Sequence, residues 1–187
     1  MVIERLNTAE LFASLDETWS DFLMLLSSVN EKDVNLVPFE DSWTVAQLAT
    51  HVTKSNKAIV QALQMQGKPC NRNADERTDE LKKTFLDFTI KFNSPDFIVP
   101  ENKDYKKEAV VQQLENSIEQ LKQLRTKANL YEIIMLPAFG EITKFEILYF
   151  VLVHTQRHLR QLKNILSIIN KKIELQISTC RGFLQQP

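Results

Sequence analysis

The chain contains three histidines in 187 residues, and two of them sit four apart inside a long apolar run, Phe145 to Ile169. His154 and His158 at i and i+4 share one helix face, about 5–6 Å apart at Cβ. Imidazoles so placed can take neighbouring positions on one ion, with Zn–N bonds of about 2.0–2.1 Å. The third, His51, lies on a separate amphipathic run that opens after Ser42-Trp43-Thr44. A facing helix that brought His51 to the pair would complete a three-histidine site with an open position, suited to activating a water or a thiol. Spacing alone leaves another reading open. A histidine on an apolar face is commonly a hydrogen-bonded core residue, and HxxxH pairs also arise without a metal.

Other catalytic patterns do not fit these residues. A zincin peptidase needs HExxH, whose glutamate is the general base; here Thr155, Gln156 and Arg157 stand between the histidines. Di-iron carboxylate bundles need paired Glu-x-x-His motifs, but Val151, Thr155 and Leu48 occupy the positions three before His154, His158 and His51. No local signature marks a serine or cysteine nucleophile. Cys70 and Cys180 are far apart without CxxC spacing, which reads as free thiols of a cytosolic protein.

Composition narrows the function classes. The length suits one domain with a sizeable core. Hydrophobic residues make up 43% and charged residues 25%, near the globular average. Three glycines disfavour a turn-dense β architecture, and no phosphate-cradling loop motif occurs. The net charge is −1, with no basic stripe carrying interleaved aromatics, so nucleic-acid binding has little support. The N-terminal Met1–Arg5 lacks the apolar stretch of a secretory signal. The apolar stretch Ile147 to Val153 is interrupted too soon by His154, Gln156 and Arg157 to span a bilayer. A cytoplasmic protein that avoids membranes is the expectation.

Five helices are predicted to position the histidines. Leu11, Leu15, Trp19, Phe22, Leu26 and Val29 recur at spacings of three and four, predicting a helix from Thr8 to Val29. Thr44-Val45-Ala46-Gln47 has the capping-box pattern and opens a second helix, ended near Gln66 by Gly67. A third is predicted from Asp75 to Phe92, with Leu81, Phe85, Phe88 and Phe92 on one face, and a fourth from Lys106 to Ala128. Thr143-Lys144-Phe145-Glu146 is another capping box, opening a fifth helix to Ile169. On it Ile147, Val151, His154, His158, Leu162 and Ile165 form one core-facing stripe. No stretch reads as a convincing strand; Val34–Phe39 and Ile173–Ile177 are short and ambiguous. The expectation is an all-α bundle over residues 1–170, with the tail 171–187 unassigned.

Ser42-Trp43-Thr44-Val45-Ala46-Gln47-Leu48-Ala49-Thr50-His51 resembles the first signature of the DinB-like (YfiT-like) metalloenzyme superfamily. Phe139-Gly140-Glu141-Ile142-Thr143, followed by His154-Thr155-Gln156-Arg157-His158-Leu159-Arg160-Gln161, resembles its last-helix signature, HxxxHxxQ after a short turn. The resemblance extends over Leu6 to Ile169. It implies an antiparallel four-helix bundle of up-down-down-up character with additional helical connections. It also implies a homodimer and one divalent metal held by His51, His154 and His158. Zinc or nickel suits three imidazoles, and iron or manganese also fits. By position, Trp43 becomes a packing residue at the entrance to the second helix. Gln161 becomes a partner or packing residue one turn beyond His158.

Characterised members of that superfamily include thiol-dependent S-transferases and a mycothiol-dependent isomerase. The implied function is therefore a metal-dependent transferase that activates a low-molecular-weight thiol to attack a small-molecule electrophile. A metal-dependent hydrolase is one alternative; a non-catalytic protein binding metal or a small ligand is another. Lys54 and Asn56 are candidate liners of the site mouth, whereas Arg157 and Arg160 are expected to face solvent or a dimer partner. Phe139, Phe145 and Phe150 are expected to pack in the core.

Overall fold

The computed structural model describes residues 7–183, with side chains through residue 174. Met1–Arg5 and the side chain of Cys180 lie outside the described residues. Five helices, α1 (Thr8–Ser28), α2 (Val45–Gln64), α3 (Thr78–Leu86), α4 (Lys107–Arg125) and α5 (Lys144–Phe183), carry the fold. The predicted stripes are its core: Leu15, Trp19, Phe22 and Leu26 of α1 meet Leu48 of α2, Leu114 and Leu121 of α4, and Ile147, Leu148, Leu162 and Ile165 of α5, all essentially inaccessible.

Four helices form the bundle, in which α1 and α2 each pack on both α4 and α5. Arg125 at the end of α4 donates to the Phe12 carbonyl and to Asp16, near the start of α1. Lys107 at the start of α4 donates to the Ser27 carbonyl at the end of α1. These two helices are therefore antiparallel. In contrast, α2 and α4 run the same way: Gln47 lies against Glu101, ahead of α4, while Asn56 donates to Ser117 within it. The end of α2 and the start of α5 are brought together by a small sheet, so the order is up-down-down-up.

The helical bundle stands as expected, and the sheet is an addition to it in segments where no strand was expected. Strands β1 (Lys68–Pro69), β2 (Glu132–Leu136) and β3 (Gly140–Thr143) pair antiparallel in the order β1-β2-β3, with Ile134 opposite Ile142. Pro137-Ala138-Phe139 form the hairpin turn between β2 and β3, and Gly140 adopts the positive φ of 66° that favours glycine. Gly67 does more than stop a helix: a Cβ there would sit 2.6 Å from the Glu132 Cβ, so β1 approaches β2 only because residue 67 has none.

Two helix ends also differ from expectation. The third helix stops at Leu86 rather than Phe92, because Arg157 on α5 captures the carbonyls of Phe85, Asp87 and Ile90. Asp87 further accepts from the Thr89 N–H at 2.9 Å, a local turn that competes with helix. Phe88 and Phe92 are consequently outside the helix and exposed. The fifth helix continues past Ile169 to Phe183, so residues 171–183 are helical backbone; no glycine or proline interrupts it before Gly182. Val34–Phe39 is not a strand; it enters a turn from which the Val34 carbonyl accepts the Ala46 N–H.

Candidate metal centre

Both helices that carry histidines begin at capping boxes. Thr44 Oγ1 accepts from the Gln47 N–H at 3.2 Å while Gln47 Oε1 accepts from the Thr44 N–H at 2.9 Å. On α5, Thr143 Oγ1 accepts from the Glu146 N–H at 3.1 Å and Glu146 returns the bond at 2.9 Å. Each box satisfies helix-start N–H groups and fixes the phase of its helix. His51 follows two turns after Thr44, and His154 and His158 follow three and four turns after Thr143. The phases bring all three imidazoles to one buried point between α2 and α5.

The three Nε2 atoms converge. His51 Nε2 is 3.4 Å and His158 Nε2 is 3.1 Å from His154 Nε2, and the possible ligand atoms all lie within 4.8 Å of one another. Three nitrogens bonded to one ion at about 2.0–2.1 Å stand about 2.9–3.4 Å apart for angles from octahedral to tetrahedral. The two closest separations fall in that interval.

The outer ring nitrogens fix which way the lone pairs point. His51 Nδ1 donates to the Ile98 carbonyl at 3.1 Å, since a carbonyl only accepts. His158 Nδ1 donates to Gln161 Oε1 at 2.9 Å. Both bonds place the proton on Nδ1 and leave the Nε2 lone pair facing the centre. Burial keeps the rings uncharged. The His51 pKa is lowered by desolvation, which outweighs its bond to Ile98. His154 lies well below the usual imidazole value, through desolvation and then its two histidine neighbours. Desolvation, reinforced by His51, pushes His158 down to about 3. Neutral imidazoles with inward lone pairs are the state that a divalent cation requires.

Aromatic rings wall the cluster. Trp43 packs 4.8 Å from the His51 ring, Phe150 lies 5.0 Å from His154, and Phe85 lies 6.3 Å from it. Phe145 and Phe150 are buried as the core expectation had them, while Phe139 is half-buried and packs edge-on against Phe150.

The sequence pattern of the DinB superfamily matches residues 14–162, spanning all three histidines. The chain belongs to that superfamily. A solved structure, TT2238, a four-helix bundle protein, superposes with a TM-score of 0.56 at 18% identity, covering 84% of this chain and 99% of that one. At this identity the likeness concerns the fold. No curated protein sequence matches the chain.

In this DinB-superfamily chain the structure brings His51, His154 and His158 together, with Trp43 beside the His51 ring and Gln161 bonded to His158. The other candidates fall elsewhere. Asn56 is buried in the α2–α4 seam with Ser117, and Lys54 turns to the Val99 carbonyl and Glu101. Arg157 binds backbone carbonyls, and the Arg160 guanidinium lies 3.9 Å over the Phe88 ring. Cys70 sits by the sheet, its thiol donating to the Arg72 carbonyl. Ile98 was not anticipated, because it contributes a backbone carbonyl and any residue type supplies one. Among the described residues, no helix is long and apolar enough to cross a membrane.

Proposed function

We propose that the protein is a divalent-metal-dependent transferase working through a low-molecular-weight thiol, with His51, His154 and His158 as the metal ligands. The observation that carries this is the convergence of three uncharged Nε2 atoms, two of them held lone-pair inward by Ile98 and Gln161. Three neutral donors leave the full charge of a divalent cation to attract an anionic fourth ligand, and a thiolate suits zinc or nickel better than it suits harder ions. When bound, such an ion lowers the pKa of a coordinated thiol enough to supply the thiolate at neutral pH.

The chain's own residues then have definite tasks. Ile98 and Gln161 hold the imidazoles in register, and Trp43, Phe85 and Phe150 keep bulk water from the reacting sulfur. The thiol proton passes to solvent. A thiolate so supplied would attack an electrophilic carbon of a second small molecule, the C–S bond forming as the leaving group departs with its bonding pair. Hydrolysis would ask more of the site, namely a base beside the attacking water. Among the described residues no carboxylate hydrogen bonds to the three imidazoles, and Glu101 is engaged by Lys54, Lys103 and Tyr105. By family resemblance the protein acts as a homodimer, which sedimentation tests directly.

The deciding experiment is metal content by mass spectrometry on untagged protein, wild type beside His154→Ala. The expected result is about one ion per wild-type chain and none in a variant that remains helical. Wild-type protein indifferent to added zinc, nickel, iron and manganese would make the histidines core residues. Full occupancy in His154→Ala would overturn the ligand set. Hydrolysis without added thiol would assign a hydrolase, and metal binding without turnover across thiol donors would leave a binding protein.

A further inference from the structure

Residues 87–101 form a strap that crosses from one ligand helix to the other, and a cation beside the histidines holds each end. At the α5 end, Arg157, between His154 and His158, donates to the Phe85 carbonyl in the last turn of α3 and to those of Asp87 and Ile90 at the start of the strap. Its guanidinium also lies 4.8 Å over the Phe92 ring. At the α2 end, Lys54, one turn beyond His51, donates to the Val99 carbonyl and to Glu101, both at 2.8 Å. Between these anchors the Ile98 carbonyl accepts from His51 Nδ1 at 3.1 Å.

Beyond Ile98 the strap is also tied at its end, where the Glu101 carbonyl accepts from Tyr105 at 3.0 Å and Gln47 at 3.5 Å and Pro100 is buried. Lys54 alone, however, bonds to the carbonyl next to that of Ile98. The strap's regular structure is a single short 3-10 turn, Asp96–Ile98, and Phe97 and Val99 on either side are exposed. A group that orients a metal ligand is only as well placed as the backbone that carries it. The histidine helices themselves supply that support.

We propose that Lys54 and Arg157 are positioning residues for the metal centre, acting together through the strap to hold the Ile98 carbonyl on His51. This rests on the three-histidine reading above. Neither side chain touches the metal position: Lys54 acts from the next turn of α2, and Arg157 points to the strap. Lys54 is partly exposed, with 28% of its side chain accessible, and its pair with Glu101 is a surface ion pair. Its loss therefore costs little stability while freeing the ligand's partner.

The test is zinc affinity by competition with a chromophoric chelator, measured on full-length wild type, Lys54→Met, Arg157→Met, the double variant and Lys54→Arg. Each single methionine variant is expected to bind zinc about tenfold more weakly or worse, the range for loss of a ligand's hydrogen-bonded support. The metal-free melting temperature of Lys54→Met should move by no more than about 4 °C. Because both residues act through one strap, the double variant should lose little more than either single one. Lys54→Arg, which keeps donors for both oxygens, should recover most of the affinity. Wild-type affinity in Lys54→Met, while wild type binds one zinc, would overturn the proposal and leave the metal site standing. Fully multiplicative losses in the double variant would also overturn it, since the two cations would then act separately. Absence of zinc binding by wild type would sink both readings.

Discussion

Two buried polar sites lie on α5 only two to three turns apart, and they are satisfied in opposite ways. At Glu146 every acceptor is matched within the protein. Arg72 donates to both carboxylate oxygens at 2.6 and 2.7 Å, and the Arg77 and Thr143 N–H groups donate at 2.9 Å each. The side chain of Glu146 is fully inaccessible, yet its charge is paired and all its bonds close internally. At the histidine cluster, His51 and His158 donate outward from Nδ1, and both inward Nε2 lone pairs point at the one His154 Nε2, at 3.4 and 3.1 Å. A fold that needed polar groups only for stability would resemble the first site. In the second, a single proton on His154 Nε2 can serve only one of the two inward lone pairs, and the other remains a place for something electron-poor.

The sharpest way to break this contrast is Glu146→Ala. It leaves the Arg72 guanidinium and the N–H groups of Arg77 and Thr143 without their acceptor and removes half of the capping box that starts α5. Breaking a buried, hydrogen-bonded pair from one side costs about 3–5 kcal/mol. Thermal denaturation should show a melting temperature lower by roughly 10 °C or more. Metal content per folded chain should nevertheless stay at the wild-type level, because the damage lies turns away from the Nε2 atoms. Loss of metal from the remaining folded fraction would show that the two sites are one cooperative unit.

The same contrast explains what was legible in the sequence. The capping boxes at Thr44 and Thr143 and the helical stripes depend on local spacing, so the histidines could be placed on their helices and on the core side. The HxxxHxxQ spacing likewise put Gln161 one turn from His158, where it bonds to Nδ1. The β2–β3 hairpin was missed because its strands are four and five residues long, and β1 exists only through a tertiary approach over Gly67. The third helix was overextended because Phe88 and Phe92 continue its period. What ends it is Arg157, some seventy residues away in sequence. The partners supplied by backbone, Ile98 above all, leave no mark on residue type.

Acid should separate the two sites without mutation. An unfolded histidine takes up its proton near 6.5, while burial holds His158 neutral down to about 3 and lowers His51 and His154 as well. Between those values the metal-free folded chain binds fewer protons than the unfolded one, so its stability falls as pH falls and is level above the window. Glu146 acts later. Burial would raise its pKa, but Arg72 and the two N–H donors hold it below 4.5, so its contribution is present above 4.5 and is lost as pH falls through the lowered folded value. The chain's only three histidines are all in the cluster, so the slope between about pH 6.5 and 5 reports on them. Melting temperatures of chelator-treated protein should decline across that interval and do so far less in a His154→Leu/His158→Leu variant. A flat profile in the wild type would mean that the rings are not held neutral.

The smallest effect sought is the most discriminating, and it falls on Gln161. Gln161→Leu removes one neutral hydrogen bond from a half-buried position, so stability should change by only about 1 kcal/mol. Its effect on metal should be disproportionate. Without that acceptor His158 can turn or move its proton to Nε2, and loss of such a partner weakens metal binding about 10–100-fold. Gln161→Glu reverses the direction, since a carboxylate accepting from Nδ1 makes the ring a stronger donor and should tighten zinc binding. At Glu146 the loss of hydrogen bonds is expected to cost stability and spare metal; at Gln161 it is expected to spare stability and cost metal. Equal zinc affinity in wild type and Gln161→Leu would mean that packing alone holds His158, and the distinction between the two sites would rest on the inner nitrogens only.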